Sequence, residues 1–265
     1  DDGSHWSERF FGSSVDGITV KKRDEIVEYD EFKGLDFDYY IYHPDTGDKK
    51  ATLVDKAIQI SKNNNIVFLD DDTPFIKENA LERYELYFDR YSYIKGRIIE
   101  ARGLPHLYSD TRIQGTNFGM KKSLYEAIGG FSDFCYEDSL CEDDDLTWKV
   151  YKYILSKKGK LKACYAGDIV VENKESGRWH SDLENKKMRA ENFGKIFKEK
   201  HGVEDNYDIK SRHKKLWMEF PSLRAKLSEY FYRVVYFKRQ RLGLKDLFRF
   251  NEWGSKSTKW DKKID

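Results

Sequence analysis

The stretch Ile66-Val67-Phe68-Leu69-Asp70-Asp71-Asp72 sets four consecutive apolar residues directly against three carboxylates. A short continuous apolar run fits a strand buried on both faces of a parallel sheet. The acids then stand at its carboxyl end, where ligands of open α/β sheets bind. Three adjacent carboxylates repel one another unless a cation is near. Hard divalent cations such as Mg²⁺ take oxygen ligands and bridge protein carboxylates to substrate phosphates. Asp70 and Asp72 are the candidate metal ligands, with Asp71 beside them as a nucleotide contact. The competing account is a helix N-terminus, with Asp72-Thr73 as cap and Pro74 near the first helical position. Capping accounts for one acid or two, not for three.

Outward from this stretch the pattern alternates. Leu53, Ala57, Ile58 and Ile60 lie at helical spacing over 52–61, and Asn63-Asn64-Asn65 stops that helix. Upstream, the aromatic run 37–42 predicts a strand, closed by a turn at His43-Pro44-Asp45-Thr46-Gly47. Downstream, a helix is predicted over about 77–91, a strand over 94–99 and a short helix over 123–128 closed by Gly129-Gly130. A helix with a positive end follows over 146–156, then two short strands at 162–165 and 169–171, then a long charged helix over 181–201. Strand, helix, strand, acidic turn, helix is the order of a doubly wound α/β sheet.

A second acidic cluster, Cys141-Glu142-Asp143-Asp144-Asp145-Leu146, precedes the helix over 146–156. The helix macrodipole favours acids at such a position without any further role. A carboxylate there also suits a general base that takes the proton of an attacking hydroxyl, and like-charge crowding raises the pKa of such a base. Gln114-Gly115-Thr116-Asn117-Phe118-Gly119 and Ile128-Gly129-Gly130-Phe131 add glycines that permit tight turns.

The 265 residues suffice for one large α/β domain with an extension; 39% are hydrophobic and 36% charged, which fits one core under a solvated surface. Aromatics reach 15%, more readily explained by packing than by sugar contacts. The net charge of +1 hides an asymmetry: residues 211–265 hold 15 Lys and Arg against 6 Asp and Glu, leaving −8 for the rest. Cys135, Cys141 and Cys164 are an odd set without CxxC or zinc-site spacing, which points to a reducing compartment. No apolar run approaches the roughly 20 residues of a membrane span. The opening Asp1-Asp2-Gly3-Ser4, without Met or signal peptide, reads as an excerpt of a longer chain.

Four pieces, in order, resemble glycosyltransferase family 2 of the GT-A fold. Asp1-Asp2-Gly3-Ser4 looks like the segment after the family's second strand, where an acid, here Asp2, contacts the nucleotide base. The run from Ile66 to Asp72 looks like the strand leading into the DxD motif, with Asp70 and Asp72 as its acids. Ile128-Gly129-Gly130-Phe131 resembles the GGF segment, and Glu142-Asp143-Asp144-Asp145-Leu146 the EDxDL motif, where Asp143 falls on the catalytic base. Lys50-Ala51 with Val54-Asp55 and Ala57-Ile58 is similar to the family's donor-binding helix, Asp55 replacing the usual Asn. The likeness spans residues 1 to about 200.

The resemblance implies a mainly parallel mixed sheet flanked by helices: a catalytic domain over 1–205, short of its first strands, and a basic helical extension over 206–265. It implies inverting transfer of a sugar from a nucleoside-diphosphate donor, a UDP-sugar first among them, to a hydroxyl of a carbohydrate or lipid-linked carbohydrate. Mg²⁺ or Mn²⁺ would sit at Asp70 and Asp72, with Asp143 as base and Glu142 and Asp144 behind it. Asn173 stands where the family often carries a metal- or phosphate-contacting His; His180 is the nearby substitute. Glu175-Ser176-Gly177-Arg178-Trp179 resembles the QxxRW of processive synthases, which would set Arg178 and Trp179 on the acceptor or phosphate side. The expected setting is cytoplasmic envelope-polysaccharide assembly, peripheral at the inner membrane face, without nucleic acid as partner.

In the tail, predicted as mostly helical over 216–250, Leu223, Leu227, Phe231 and Val234 share one helical face, with Arg224, Lys226, Arg233, Lys238, Arg239 and Arg241 elsewhere. That face is expected to pack on the catalytic domain; the alternative is an anionic membrane surface. Two other functions compete: a nucleotidyltransferase acting on a sugar phosphate, and a non-catalytic carbohydrate- or Ca²⁺-binding module.

Overall fold

The computed structural model describes residues 19–26, 33, 36–42, 50–70, 73–100, 105, 115–133, 135, 142–173, 195–202 and 218–240. They divide into two compact units.

The first unit holds an antiparallel pair, β1 (Thr19–Lys22) and β2 (Tyr39–Tyr42), in which Val20 faces Ile41. Helix α1 (Lys50–Ile60) packs against β2 and buries Ala51 and Ile58. Arg23 ties the pair together: its backbone N–H donates to Asp38 and its guanidinium to Asp36, at 3.1 and 3.0 Å.

The second unit is a mixed five-stranded sheet flanked by helices, an α/β arrangement as predicted. Its strands are β3 (Asn65–Phe68), β4 (Tyr93–Glu100), β5 (Phe118–Lys121), β6 (Ala163–Asn173) and β7 (Met218–Glu219), in the order β3-β5-β4-β6-β7. β5 runs antiparallel to both neighbours, while β4, β6 and β7 are mutually parallel, so β5 alone opposes the common direction. The helices are α2 (Ala80–Phe88), α3 (Lys122–Ala127), α4 (Glu142–Ser156), α5 (residues 195–201) and α6 (Leu223–Gln240).

The core lies between α2 and the sheet. Tyr84, Tyr87 and Phe88, one face of α2, pack with Tyr91, Ile94, Cys164, Ala166 and Ile169. Burial, and then the nearby charge of Asp168, hold the Cys164 thiol well above its ordinary range, so it serves as packing. Helix α3 closes as predicted: Gly129 (φ 75°) and Gly130 (φ 59°) occupy left-handed backbone that a side chain would resist.

Several expectations are corrected. β3 is only half-buried and is the outer strand of the described sheet, because β5 alone pairs with it. Helix α2 starts at Ala80, not near 77, because the preceding chain is committed to the sheet: Phe75 bridges Val171, Ile76 N–H donates to Val170 and Pro74 C=O accepts from Glu172. Helix α4 starts at Glu142, so the second acidic cluster lies inside its first turn, and its last turn carries no basic residue. The two strands predicted around 162–171 are one strand, interrupted where the sequence indicated. Lys95 pairs with Tyr165 and Arg97 with Val170, so four residues of β6 stand against Gly96 alone. Residues 218–219, predicted as helix, form β7.

The tail helix is inverted relative to expectation. Leu223 (71% exposed), Leu227 (56%), Phe231 (62%) and Val234 (38%) face outward, while Ala225, Glu229 and Arg233 are fully buried towards β6. Arg97, on β4, donates from Nη2 to Glu229, and Arg233 Nε donates to the other Glu229 oxygen at 2.7 Å. All three charged groups are buried. Burial works against the Arg97 charge, and Tyr165, Glu229 and Tyr232 more than offset it, so its pKa is raised.

Asn117, held at φ 53° and fully buried, secures the interrupted ladder. Its amide donates to Arg97 C=O at 2.7 Å and Ile169 C=O at 3.2 Å, and its oxygen accepts from the Tyr84 hydroxyl at 2.9 Å. A Cβ at Gly96 would collide with this amide. Asn117→Ala leaves three buried polar groups stripped of this partner, at about 1–3 kcal/mol each. We expect it to lower unfolding free energy in urea by about 3 kcal/mol or more.

Tyr84, Tyr93 and Tyr165 carry hydroxyls raised above the usual 10.0 chiefly by burial, and Tyr91 is pushed up to about 12. A phenol held neutral in the folded state contributes stability below its unfolded pKa of 10.0 and loses it as pH rises through the folded value. Stability is therefore expected to fall above pH 10, with these tyrosines ionising together with unfolding. Tyrosinate absorbance followed alongside circular dichroism checks this.

Candidate functional site

Two acidic places, the end of β3 and the start of α4, carry the acidic site residues Asp70, Glu142, Asp143 and Asp144. At the end of β3, Asp70 is held through its backbone: its N–H donates to Thr116 Oγ1 at 2.8 Å, and its C=O accepts from the Thr73 N–H and hydroxyl at 3.2 and 2.9 Å. Thr73 and Thr116, both buried, join hydroxyls at 2.8 Å. The clamp anchors both sides of the acidic segment. Asp71 and Asp72, between the clamped residues, lie outside the described residues, as do Asp2, Arg178, Trp179 and His180.

The cap explanation for these acids fails. No helix starts at Thr73-Pro74; α2 begins at Ala80, beyond a stretch bonded to β6. Its flanking residue Asn79 makes no side-chain cap. Asp70 follows β3, and the chain from Pro74 to Ile76 is bonded to sheet, not helix.

At the second place, the first turn of α4, the acids divide by role. Asp143, half-buried, accepts the Asp144 N–H at 2.9 Å on Oδ1, and its C=O accepts the Thr147 hydroxyl at 2.7 Å. Part of the Asp143 carboxylate thus serves a helix start, where the macrodipole favours negative charge. Asp143 also acts electrostatically on Tyr93: burial first, then Tyr84, Cys164 and Asp143, hold that hydroxyl well above its ordinary value. Asp144 is half-buried, and Glu142 opens the helix.

Asp145 was not singled out in the sequence, and the structure gives it a close side-chain partner. It is fully buried, 2.7 Å from His201 Nε2, with Lys149 at 4.0 Å. The His201 ring packs against Phe197 and Trp148, at 4.6 and 6.2 Å between centroids. The pair joins α4 to α5. A His 56 positions downstream of an acid carries no periodic signal, so residue order could not reveal it.

Lys50 and Asp55 lie on α1 of the first unit, both half-buried. A cleft of about 620 Å³ in that unit is lined by residues including Lys22, Arg23, Asp24, Tyr39 and Lys62, and takes in none of the predicted site residues. Among the described residues no three His, Cys, Asp or Glu side chains gather closely enough to hold a metal ion.

No protein-family model, curated protein or solved structure matches the chain.

The division of roles in α4 is measurable. Asp145→Asn removes the charge that His201 meets in a buried place and is expected to cost about 1–3 kcal/mol. Asp144→Asn, at the helix start, should cost under about 1 kcal/mol. Urea unfolding of the two variants separates them.

Proposed function

We propose that the chain is the catalytic part of a metal-dependent, inverting glycosyltransferase of the GT-A type, resembling family 2. It would move a sugar from a nucleoside-diphosphate donor to a hydroxyl of a carbohydrate or lipid-linked carbohydrate. One observation carries the reading: Asp70 follows β3 at the carboxyl end of a sheet strand, and the next described helix, which a cap would have to serve, begins only at Ala80. The four motifs quoted above, in their order, supply the specificity of the reading.

The donor set fits a hard cation. Asp70 and Asp72 would hold Mg²⁺ or Mn²⁺ through carboxylate oxygens, with Asp71 towards the nucleotide. When bound, such a cation neutralises charge on the leaving diphosphate. Thr73 and Thr116 act as positioning residues, because they fix the backbone from which Asp70 projects. Asp143 takes the proton of the acceptor hydroxyl as its oxygen attacks the anomeric carbon from the face opposite the leaving group. The bond to the diphosphate oxygen breaks as the new glycosidic bond forms, and a single displacement inverts the centre. Glu142 and Asp144 are the alternative bases on the same turn. The resemblance assigns Arg178, Trp179 and His180 to the acceptor and phosphate side, and Asp2, Lys50 and Asp55 to donor contacts.

The test is nucleoside diphosphate release from UDP-, GDP- and dTDP-sugars with Mn²⁺. Release is expected from the unaltered chain and should fall by at least about 100-fold in Asp143→Asn and in Asp72→Ala. Release unchanged by both substitutions would remove the site assignment. Pyrophosphate as product would indicate a nucleotidyltransferase, and saccharide binding without turnover a binding module.

A further inference from the structure

Helix α6 turns its apolar side outward, and its charges explain what that side fits. At 100° per residue, Leu223, Val234, Leu227 and Phe231 fall within an arc of about 80°. All four are exposed, from 38% at Val234 to 71% at Leu223. Lys226 and Lys238, also exposed, edge or interrupt this arc, as does Arg224, whose Nε lies 4.0 Å from Asp168 Oδ2, and half-buried Tyr230 borders it. The helix contains one acid, Glu229, and that acid is buried between Arg97 and Arg233. The outward side of the helix therefore combines an apolar stripe, crossed by Lys238, with positive charge and no carboxylate of its own. It is held rigidly. Ser222 accepts the Ala225 N–H at 3.1 Å and meets the Tyr87 hydroxyl, and Ser228 donates to Gly167 C=O at 2.6 Å.

We propose that this face of α6 seats on an anionic lipid bilayer. The apolar side chains would enter the acyl boundary while Lys226 and Lys238 reach the headgroup phosphates. The long aliphatic stems of the lysines suit that boundary, and the Tyr230 ring suits it too. A second copy of the chain fits worse: the same face on each partner would bring the same cations together without a carboxylate to meet them. No helix among the described residues is long and apolar enough to cross a membrane. The inference stands apart from sugar transfer and does not require it.

The experiment is sedimentation of the full chain with vesicles of phosphatidylcholine alone, and with an equal part of phosphatidylglycerol. Strong partition is expected only into the anionic vesicles, weakening as salt rises. Because the substituted side chains point outward, Leu227→Ser with Phe231→Ser should keep the circular dichroism spectrum and bind at least about tenfold more weakly. Lys226→Glu with Lys238→Glu should do the same by charge, by about tenfold or more. No partition into anionic vesicles overturns the proposal, as does unchanged binding by the Leu227 and Phe231 variant. Sedimentation velocity that finds a dimer dissolved by Phe231→Ser also overturns it, and assigns the face to a second copy.

Discussion

Where four residues of β6 stand against Gly96 of β4, the parallel ladder is interrupted and carbonyls inside the sheet lose their usual partners. A buried carbonyl must find a donor or cost free energy comparable to a lost hydrogen bond. Ile169 C=O finds the Asn117 amide, and Gly167 C=O finds Arg97 Nε at 3.2 Å and the Ser228 hydroxyl. Asp168, in the same segment, meets Arg83 and accepts the Tyr87 hydroxyl at 3.0 Å. Donors thus converge on one irregularity from β4, α2 and α6 and from the turn before β5. Each is placed by the interruption.

The orientation of α6 follows from that convergence. Arg97 cannot be buried alone; a buried charge needs a partner or its desolvation dominates. Glu229 supplies the charge, Arg233 closes the cluster, and the Arg97 guanidinium lies over the rings of Tyr232 at 4.5 Å and Tyr165 at 5.4 Å. Removing one member of such a buried cluster costs about 3–5 kcal/mol, because its partners remain charged and dry. Burying Leu223, Leu227 and Phe231 instead would turn Glu229 and Arg233 to water and leave Arg97 uncompensated. Electrostatic compensation outweighs apolar burial here, and the helix lies with its greasy side out.

This explains which parts of the fold could be read from residue order. Signals that act locally were legible: the aromatic strand at 39–42, the α1 periodicity, the run into Asp70, the glycines closing α3, and the gap between 165 and 169. Signals that depend on a distant partner were not. Apolar spacing located the α6 stripe correctly and assigned it the wrong surroundings, since Arg97 lies 132 positions from Glu229. Phe75 looked like the entry to a helix because its bridge to Val171 cannot be seen in sequence. Two residues of β7 were too few to form a pattern.

The acids of the candidate site show the same contrast. A carboxylate in a folded chain has few uses: to start a helix, to balance a buried cation, or to meet something outside the chain. Asp145 and Glu229 balance buried groups, and Asp143 gives one oxygen to the start of α4. Runs of acids in sequence cannot be sorted among these uses, because a cap and a ligand look alike until the helix boundary is known. Once that boundary lies at Ala80, helix capping no longer explains the acidity that follows β3. The threonine clamp on Asp70 then acquires its meaning: two buried hydroxyls hold the backbone at the edge of a charged segment. Under the proposed function, crowded carboxylates gain from a cation between them, and a backbone already held in place lowers the ordering cost of forming such a site.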